Sequence, residues 1–337
     1  KNYCNNIKIL YNKKIILNKD NYIMDIFFEE YVKINNIEQY FVHYPRKSNT
    51  SLIFLHGGPG ESESYFLYKM HSITQNYNLI YYDQRGAGKT QIKNKSSEND
   101  IKIETLLIDL KQTIEYVKEK YKSKYIILLG HSWGSVLGIE FIKKFPNLVS
   151  AYIGMGQVVN FKKGEKTGFD YCYNIVKNSR NKKYIEKLEK IKNYPFNINK
   201  DNVFNLFKIF REIQSKYKLA GYYEGNDKLN KIIKQSPLYS MKNIFTSSPL
   251  NLNKNIIYYL INYDTSKFTN FNIPIFFICG ANDWQVPTVV VKEYYQTINA
   301  PDKDLYVVEN AGHLLNIENT KDYNIILEGI CSRVSGE

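Results

Sequence analysis

The sequence has no stretch of about 18 consecutive apolar residues, the length that a helix needs to cross a bilayer. We therefore expect no membrane span in this chain. The chain opens at Lys1 without a methionine, which is compatible with a signal or anchor upstream of it. A cytoplasmic location is the expectation from these features.

Cysteine and histidine are scarce, and neither is spaced for metal binding. Cys4, Cys172, Cys279 and Cys331 lie far apart, with no CxxC pair and no Cys/His pairing of zinc spacing. We expect no metal site and no cofactor. Reduced thiols are the default for a cytosolic protein, although four cysteines could also form two disulfides.

Acidic residues are too few to balance the basic ones, because 46 Lys and Arg face 33 Asp and Glu, a net charge of +13. A charge of this size raises the possibility of a nucleic-acid partner. However, the basic residues are nearly all Lys, spread along the chain, and Arg, the better reader of phosphates and guanines, is scarce. We interpret the charge as a solvated basic surface and expect no nucleic-acid partner.

Disorder is excluded by composition, since 43% of the residues are hydrophobic and 15% are aromatic. Several short apolar runs end in glycine-rich loops. Ser51–Leu55 runs into HGGPG, Leu79–Asp83 into QRGAG, and Tyr125–Gly130 into HSWG. Helical patterns such as Ile103–Tyr121 alternate with these runs. Continuously apolar strands that alternate with helices indicate a mostly parallel sheet with helices on both faces.

The pattern changes between residues 157 and 267, where Lys- and Tyr-rich helical segments replace the strands. The alternation resumes with Ile273–Gly280 and Asp304–Asn310. We therefore predict an α/β fold in which residues 1–156 and 268–337 form the core and residues 157–267 form an inserted helical cap.

The pentapeptide GHSWG fits G-x-S-x-G at a turn between a strand and a helix, which predicts an exposed nucleophile at Ser132. A serine hydroxyl needs a general base, usually a histidine. His313 follows the last predicted strand, and Asp283 follows the strand before it. Because ligands bind at the carboxyl ends of parallel strands, these two are the candidate base and its orienting acid. The chain order Ser, Asp, His is that of the α/β-hydrolase fold.

An acyl-transfer site also needs two N–H donors for the oxyanion, and removal of one donor costs about 10²- to 10³-fold in rate. The amide of Trp133, which follows the nucleophile, is one candidate. The other lies in the HGGPG loop, where we favour Gly58, with Gly57 as the alternative donor and a second candidate for contact with the substrate. Pro59 has no N–H and stiffens that loop.

Three motifs together resemble the proline iminopeptidase group of the α/β hydrolases. They are HGGPG at His56–Gly60, DQRGAGKT at Asp83–Thr90 and GHSWGS at Gly130–Ser135. The resemblance implies a serine exopeptidase that releases N-terminal proline and anchors the substrate's α-ammonium on cap glutamates. Thr90 stands where the group has Ser. In GYYEGN, Glu224 is the candidate anchor, although the Trp of the group's motif is absent and an ordinary surface glutamate is the alternative.

The sequence leaves three hypotheses. The first is an aminopeptidase acting on short peptides with an N-terminal proline or another small residue. The second keeps the same triad but takes an ester, a lactone or another small acyl substrate. The third is a non-catalytic binding protein on the hydrolase scaffold, or a nucleic-acid binder that uses the positive charge.

Overall fold

A computed structural model describes residues 6–10, 13–17, 23–65, 76–221, 231–232, 234–236, 238 and 250–336. Within these ranges the strands are β1 (Asn6–Leu10), β2 (Lys13–Leu17), β3 (Ile23–Ile34), β4 (Ile37–Tyr44), β5 (Thr50–Leu55), β6 (Asn78–Tyr82), β7 (Tyr125–His131), β8 (Ala151–Met155), β9 (Ile275–Gly280) and β10 (Lys303–Val308). The helices are α1 (Gly88–Asn94), α2 (Ile103–Tyr121), α3 (Trp133–Lys144), α4 (Phe161–Asn178), α5 (Lys182–Lys190), α6 (Val203–Lys216), α7 (Lys254–Ile261), α8 (Thr288–Thr297), α9 (Leu315–Glu318) and α10 (Thr320–Ser335).

All ten strands form one sheet in the order β1-β2-β3-β4-β6-β5-β7-β8-β9-β10. The pairs from β1 to β4, and the pair β4/β6, are antiparallel. The strands from β5 to β10 pair in parallel. The structure therefore has the mostly parallel sheet that the alternation of apolar runs and helices predicts.

Helices cover both faces of this sheet because its central strands are apolar on both sides. Every residue of β5, β6, β8 and β9 is buried. One face packs against α2, α3, α7 and α8. The other packs against α10, through Tyr323, Leu327 and Ile330. Burial on both faces explains why these strands appear in the sequence as unbroken hydrophobic runs.

The segment between β8 and β9 contains helices α4 to α7 and no strand in its described part. Helices α4, α5 and α6 pack around an apolar cluster of their own, which includes Phe169, Leu188, Tyr194 and Phe210. Trp284, from the loop after β9, packs against this cluster. The helical segment thus has its own small core and contacts the main sheet beside the strand ends.

The parallel register places the ends of five strands side by side. Leu55 at the end of β5 pairs with Gly130 in β7, and Gly130 pairs with Gly154 in β8. Met155 pairs with Ile278 in β9, and Gly280 at the end of β9 pairs with Val308 in β10. The loops that follow these strands therefore share one edge of the sheet, where ligands of such sheets bind.

Candidate active site

Ser132 occupies the sharp turn between β7 and α3. Its backbone has φ 52° and ψ −116°, a conformation that L-residues rarely adopt. The Ser132 amide donates to the carbonyl of Met155 (3.0 Å), and the Ser135 amide donates to the carbonyl of Ser132 (2.9 Å). Ser132 is half-buried, so the turn presents its hydroxyl to an incoming molecule.

His313 and Asp283 are buried and directly bonded. Nδ1 of His313 lies 2.8 Å from Oδ2 of Asp283. The other carboxylate oxygen, Oδ1, accepts from the amides of Gln285 (3.0 Å) and Val286 (2.8 Å). Because the carboxylate accepts three bonds, it is fixed in one orientation and accepts a hydrogen bond from Nδ1–H of the imidazole. The neutral ring then keeps its lone pair on Nε2.

The structure brings the imidazole and the nucleophile turn to the same strand end. Gly156 follows Met155, the residue whose carbonyl holds the Ser132 amide. A side-chain carbon added at Gly156 would lie 3.4 Å from the His313 ring and 3.5 Å from Asp283 Oδ2. The ring of His131, the residue before Ser132, has its centroid 4.8 Å from that of His313. The three candidate residues therefore converge beside the ends of β7 and β8.

The HGGPG loop lies over the nucleophile turn. A side-chain carbon on Gly57 would lie 3.3 Å from Cβ of Ser132 and 3.0 Å from Oε1 of Glu63. Gly58 is exposed and has φ 115°, a backbone conformation that favours glycine. Trp133 is the first residue of α3, so its amide has no acceptor within the helix.

A buried charged pair lies behind the nucleophile. Nδ1 of His131 is 2.6 Å from Oε1 of Glu63, and Nε2 of His131 is 2.9 Å from the carbonyl oxygen of His313. Burial would lower the pKa of His131, but the charge of Glu63 and its hydrogen bond outweigh burial and raise that pKa. Burial would raise the pKa of Glu63, but the charge and hydrogen bond of His131 lower it.

His56 and Gln84 join the HGGPG loop to the QRGAG loop. His56 Nε2 accepts from the Gln84 amide (2.9 Å), and His56 Nδ1 donates to the Gly57 carbonyl (2.8 Å). Burial lowers the pKa of His56, which agrees with a neutral ring that accepts on one side. The Gln84 side chain accepts from the Trp133 indole (3.0 Å). These bonds hold the loops of both oxyanion candidates in fixed positions.

Asp83 and Arg85 form buried hydrogen bonds that fix the QRGAG loop. Asp83 accepts from the Ser62 hydroxyl (2.6 Å) and from the Lys89 amide (2.7 Å). Arg85 forms a two-pronged pair with Asp109 in α2, at 2.8 and 2.9 Å. Both acids are buried, so their bonds fix the loop rather than hold a ligand.

The helical segment is anchored to the loops that carry Asp283 and His313. Leu219 accepts from the Trp284 amide (2.9 Å), and Ala220 accepts from the His313 amide (2.7 Å). Tyr171 in α4 stacks on the Trp284 ring, with centroids 3.5 Å apart. The segment therefore lies directly beside the loops of the candidate base and acid.

Most of the site residues that the sequence predicts lie together in the structure. They are Ser132, Trp133, Asp283, His313, Gly57 and Gly58. Glu224 lies outside the described residues. Glu63 and Gln84 contribute to the site without having been singled out. Glu63 follows the HGGPG loop by three residues, but nothing in its local sequence distinguishes it from a surface glutamate.

Metal-binding clusters and membrane-spanning helices are both absent from the described part of the chain. No three His, Cys, Asp or Glu side chains there are grouped so that they could hold a metal ion. No helix there is long and apolar enough to cross a membrane. Cys172, Cys279 and Cys331 are buried free thiols.

Comparison with known families agrees with this geometry. The family model described as "alpha/beta hydrolase fold" matches residues 50–320. The chain belongs to this family, and the predicted fold is confirmed.

Two curated relatives of this chain are named as an aminopeptidase and a proline iminopeptidase. A probable aminopeptidase of Bacillus subtilis is 28% identical over 282 residues, which are 80% of this chain and 85% of that protein. A proline iminopeptidase of Saccharolobus solfataricus is 32% identical over 126 residues, covering 37% of this chain and 39% of that protein. The resemblance to the proline iminopeptidase group is therefore confirmed.

Solved structures agree on the fold and vary in activity. A proline iminopeptidase-related protein of Thermus thermophilus aligns with a TM-score of 0.65 at 16% identity, over 91% of this chain and 98% of that one. An esterase of Exiguobacterium antarcticum aligns with a TM-score of 0.60 at 16% identity, over 90% and 99%. At these identities the alignments establish the fold alone.

Proposed function

We propose that the protein is a serine hydrolase and that Ser132, His313 and Asp283 are its catalytic triad. The observation that carries this proposal is the buried His313–Asp283 bond beside the Ser132 turn. With Nδ1 bonded to the carboxylate, Nε2 is the atom of His313 that can take a proton from a serine hydroxyl. The carboxylate also stabilises the imidazolium that this transfer creates.

In the proposed reaction, the Ser132 hydroxyl attacks the substrate carbonyl while Nε2 of His313 accepts its proton. The amides of Trp133 and Gly58 stabilise the resulting oxyanion. His313 then gives its proton to the leaving amine or alcohol, and the acyl group remains on Ser132. Water, deprotonated by His313, attacks the acyl-enzyme and releases the acid and the free serine.

For the oxyanion donor we favour Gly58 over Gly57. Gly57 is buried against Glu63, since a side-chain carbon on it would lie 3.0 Å from Oε1 of that carboxylate. Gly58 is exposed at the loop surface. Its amide is the better placed of the two to meet a substrate oxygen.

We propose an aminopeptidase that takes short peptides with an N-terminal proline or another small residue. This substrate class rests on the similarity to the aminopeptidase of Bacillus subtilis, which extends over most of both chains. We also propose that residues 157–267 form a cap that limits the site to small substrates, with Glu224 as an anchor for the free amine. The cytoplasm is the proposed location.

One observation favours a second candidate, an esterase for small acyl substrates. Residues 157–267 contain 21 Lys and Arg but only 9 Asp and Glu. A cap with such an excess of positive charge repels the α-ammonium of a peptide and attracts anionic groups. Ester hydrolysis uses the same nucleophile, base and oxyanion donors as peptide hydrolysis.

A substrate panel tests the proposed function and separates the two candidates. We expect wild-type protein to hydrolyse proline p-nitroanilide, and Ser132→Ala to lower kcat by at least about 10³-fold because the nucleophile is gone. Short p-nitrophenyl esters are assayed in parallel. Ser150→Ala is the matched control, since Ser150 lies before β8 at the opposite end of the sheet.

Ester turnover without arylamide turnover would replace the aminopeptidase by the esterase. Equal activity of Ser132→Ala and wild type on every substrate would contradict the triad itself.

A further inference from the structure

We infer that Glu63 and His131 are positioning residues that act as one charged pair to hold the general base in place. This inference rests on the proposed function, because it concerns the base of that reaction. The pair connects three loops of the site. Glu63 belongs to the loop after β5, His131 ends β7, and the carbonyl that His131 contacts belongs to His313.

The contacts determine the proton count of the pair. Both partners of the His131 ring are acceptors, a carboxylate oxygen at 2.6 Å and a backbone carbonyl oxygen at 2.9 Å. A neutral ring has one N–H only, so it would place a lone pair against one of these oxygens unless Glu63 were protonated and donated to it. The raised pKa of His131 and the lowered pKa of Glu63 favour the ionised arrangement, in which each ring nitrogen carries a proton and Glu63 carries the negative charge. All three groups are buried, which makes an unsatisfied contact costly.

His313 is then held at three points. Its amide donates to Ala220 (2.7 Å), its carbonyl accepts from His131 (2.9 Å), and its Nδ1 donates to Asp283 (2.8 Å). Two of these points fix the backbone, and the third fixes the ring. Loss of the hydrogen bond from His131 would leave the backbone carbonyl of His313 unrestrained. A displacement of about 1 Å at a catalytic group can cost roughly 10²-fold in rate.

The pair also fixes the oxyanion loop. Glu63 Oε1 would lie 3.0 Å from a side-chain carbon at Gly57, and His131 Nδ1 would lie 3.4 Å from it. Gly57 is therefore packed closely against the pair, and a side chain there would crowd it. The His313 ring faces His131 directly. The other titratable groups that interact with the pair are Glu61, His56, Asp283, Tyr65 and Tyr323.

Two variants of Glu63 separate positioning from folding. In Glu63→Gln the amide can donate to Nδ1 of a neutral His131, which leaves Nε2–H for the His313 carbonyl, so we expect kcat close to wild type. In Glu63→Ala the ring loses its partner, and we expect kcat about 10- to 100-fold lower with little change in KM. Both variants are checked for folding by circular dichroism.

The matched control is Glu30, whose carboxylate lies 2.9 Å from Nε2 of the buried His43. This His–Glu contact lies on β3 and β4, at the end of the sheet away from the nucleophile turn. Glu30→Ala is expected to leave kcat unchanged. A lower kcat in Glu30→Ala comparable to that in Glu63→Ala would show a general effect of losing a buried pair and overturn the inference.

The charge of the pair has its own readout, which needs no substrate. We expect the ¹⁵N shifts of His131 to report a doubly protonated ring in wild type well above pH ~6.5, the usual histidine pKa. In Glu63→Gln the negative charge that raises the pKa of His131 is gone, and burial lowers that pKa. The ring is therefore expected to be singly protonated at that pH. A singly protonated wild-type ring, or wild-type kcat in folded Glu63→Ala, would overturn the inference.

The experiment distinguishes this inference from the proposed function. Two observations together would support the pair even if no acyl substrate is turned over. They are a doubly protonated His131 ring in wild type and loss of the His313 Nδ1–H resonance in Glu63→Ala. If Glu63→Ala does not fold, the ¹⁵N shifts of His131 in wild type and in Glu63→Gln decide whether the pair is charged.

Discussion

At the scale of single residues, the backbone of Ser132 holds a conformation that its side chain disfavours. With φ 52° and ψ −116°, it lies outside the ordinary regions for an L-residue, at a cost of about 1–3 kcal/mol. Bonds on both sides hold it there, from its own amide to Met155 (3.0 Å) and from the Ser135 hydroxyl to its carbonyl (2.6 Å). The surrounding structure therefore imposes the exposed serine.

This strain predicts an unusual order of stability at position 132. Ser132→Gly relieves the strain, whereas Ser132→Ala keeps it, so we expect the Gly variant to have the larger free energy of unfolding, by about 1 kcal/mol. Urea unfolding of both variants measures the difference.

Ser332 in the last turn of α10 provides the control for Ser132, because its backbone is helical. There we expect the ordinary order, with the Ala variant more stable than the Gly variant by about 1 kcal/mol. The same order at both positions would contradict the strain at Ser132.

The sequence indicates the residues of the proposed triad but not the Glu63–His131 pair that we infer to support them. Ser132 is found from a motif, and His313 and Asp283 are found because each follows a predicted strand. Glu63 and His131 depend on a contact between residues 68 positions apart, at the ends of two neighbouring strands. No local pattern records such a contact, because it exists only once β5 and β7 are paired.

At the scale of secondary-structure elements, the sequence predicts the bounds of buried elements most accurately. Helix α2 covers Ile103–Tyr121, as predicted, because its apolar residues recur at helical spacing and face the core. The sequence predicts the next helix over Ser135–Phe145, whereas α3 begins at Trp133, two residues earlier. The difference arises because the nucleophile turn passes directly into the helix, which is what the proposed role of the Trp133 amide requires.

The sequence predicts the N-terminal strands in part, because YVKI at Tyr31–Ile34 and QYFVHY at Gln39–Tyr44 are strand-like and the second lies within β4. Strand β3 covers Ile23–Ile34, whereas the sequence indicates a strand only over Tyr31–Ile34. Its neighbours β2 and β4 pair with it in antiparallel fashion. A strand of this kind depends on its cross-strand partners more than on its own residues, so a local pattern does not define its length.

The glycines of the nucleophile motif were correctly associated with close approach. A side-chain carbon at Gly134 would overlap the carbonyl of Leu55 at the end of β5. One at Gly130 would overlap the carbonyl of Gly134. Only glycine lets the start of α3 approach the two central strands this closely.

At the scale of the whole molecule, the positive charge is unevenly distributed. Residues 157–267 contain 21 Lys and Arg against 9 Asp and Glu, whereas the rest of the chain contains 25 against 24. The segment is about a third of the chain but holds 21 of the 46 basic residues and 9 of the 33 acidic ones, so its charge comes mainly from extra lysines. A compositional bias toward lysine would affect the whole chain, so it does not explain a balanced core beside a basic segment.

This asymmetry predicts that salt affects substrates according to their charge. We expect kcat/KM for an anionic ester to fall as ionic strength rises, because salt screens the attraction to the basic segment. For a neutral ester of the same size we expect little change. Stopped-flow or steady-state assays over a salt series measure both slopes.

A triple variant of exposed lysines in the segment tests the origin of the salt effect. Replacing Lys182, Lys190 and Lys192 with Glu is expected to flatten the slope for the anionic ester. The control replaces three exposed lysines outside the segment with Glu. They are Lys102, Lys118 and Lys124. Equal slopes for anionic and neutral esters would contradict a steering role for the segment.

The central claim is that Ser132 is the nucleophile, and covalent labelling tests it most directly. Folded wild-type protein is treated with a fluorophosphonate probe, and the modified peptide is located by mass spectrometry. We expect one adduct, on Ser132, with hydrolytic activity lost in proportion to labelling and no adduct in Ser132→Ala. Labelling at another residue with loss of activity, or an active protein that leaves Ser132 unmodified, would contradict the claim.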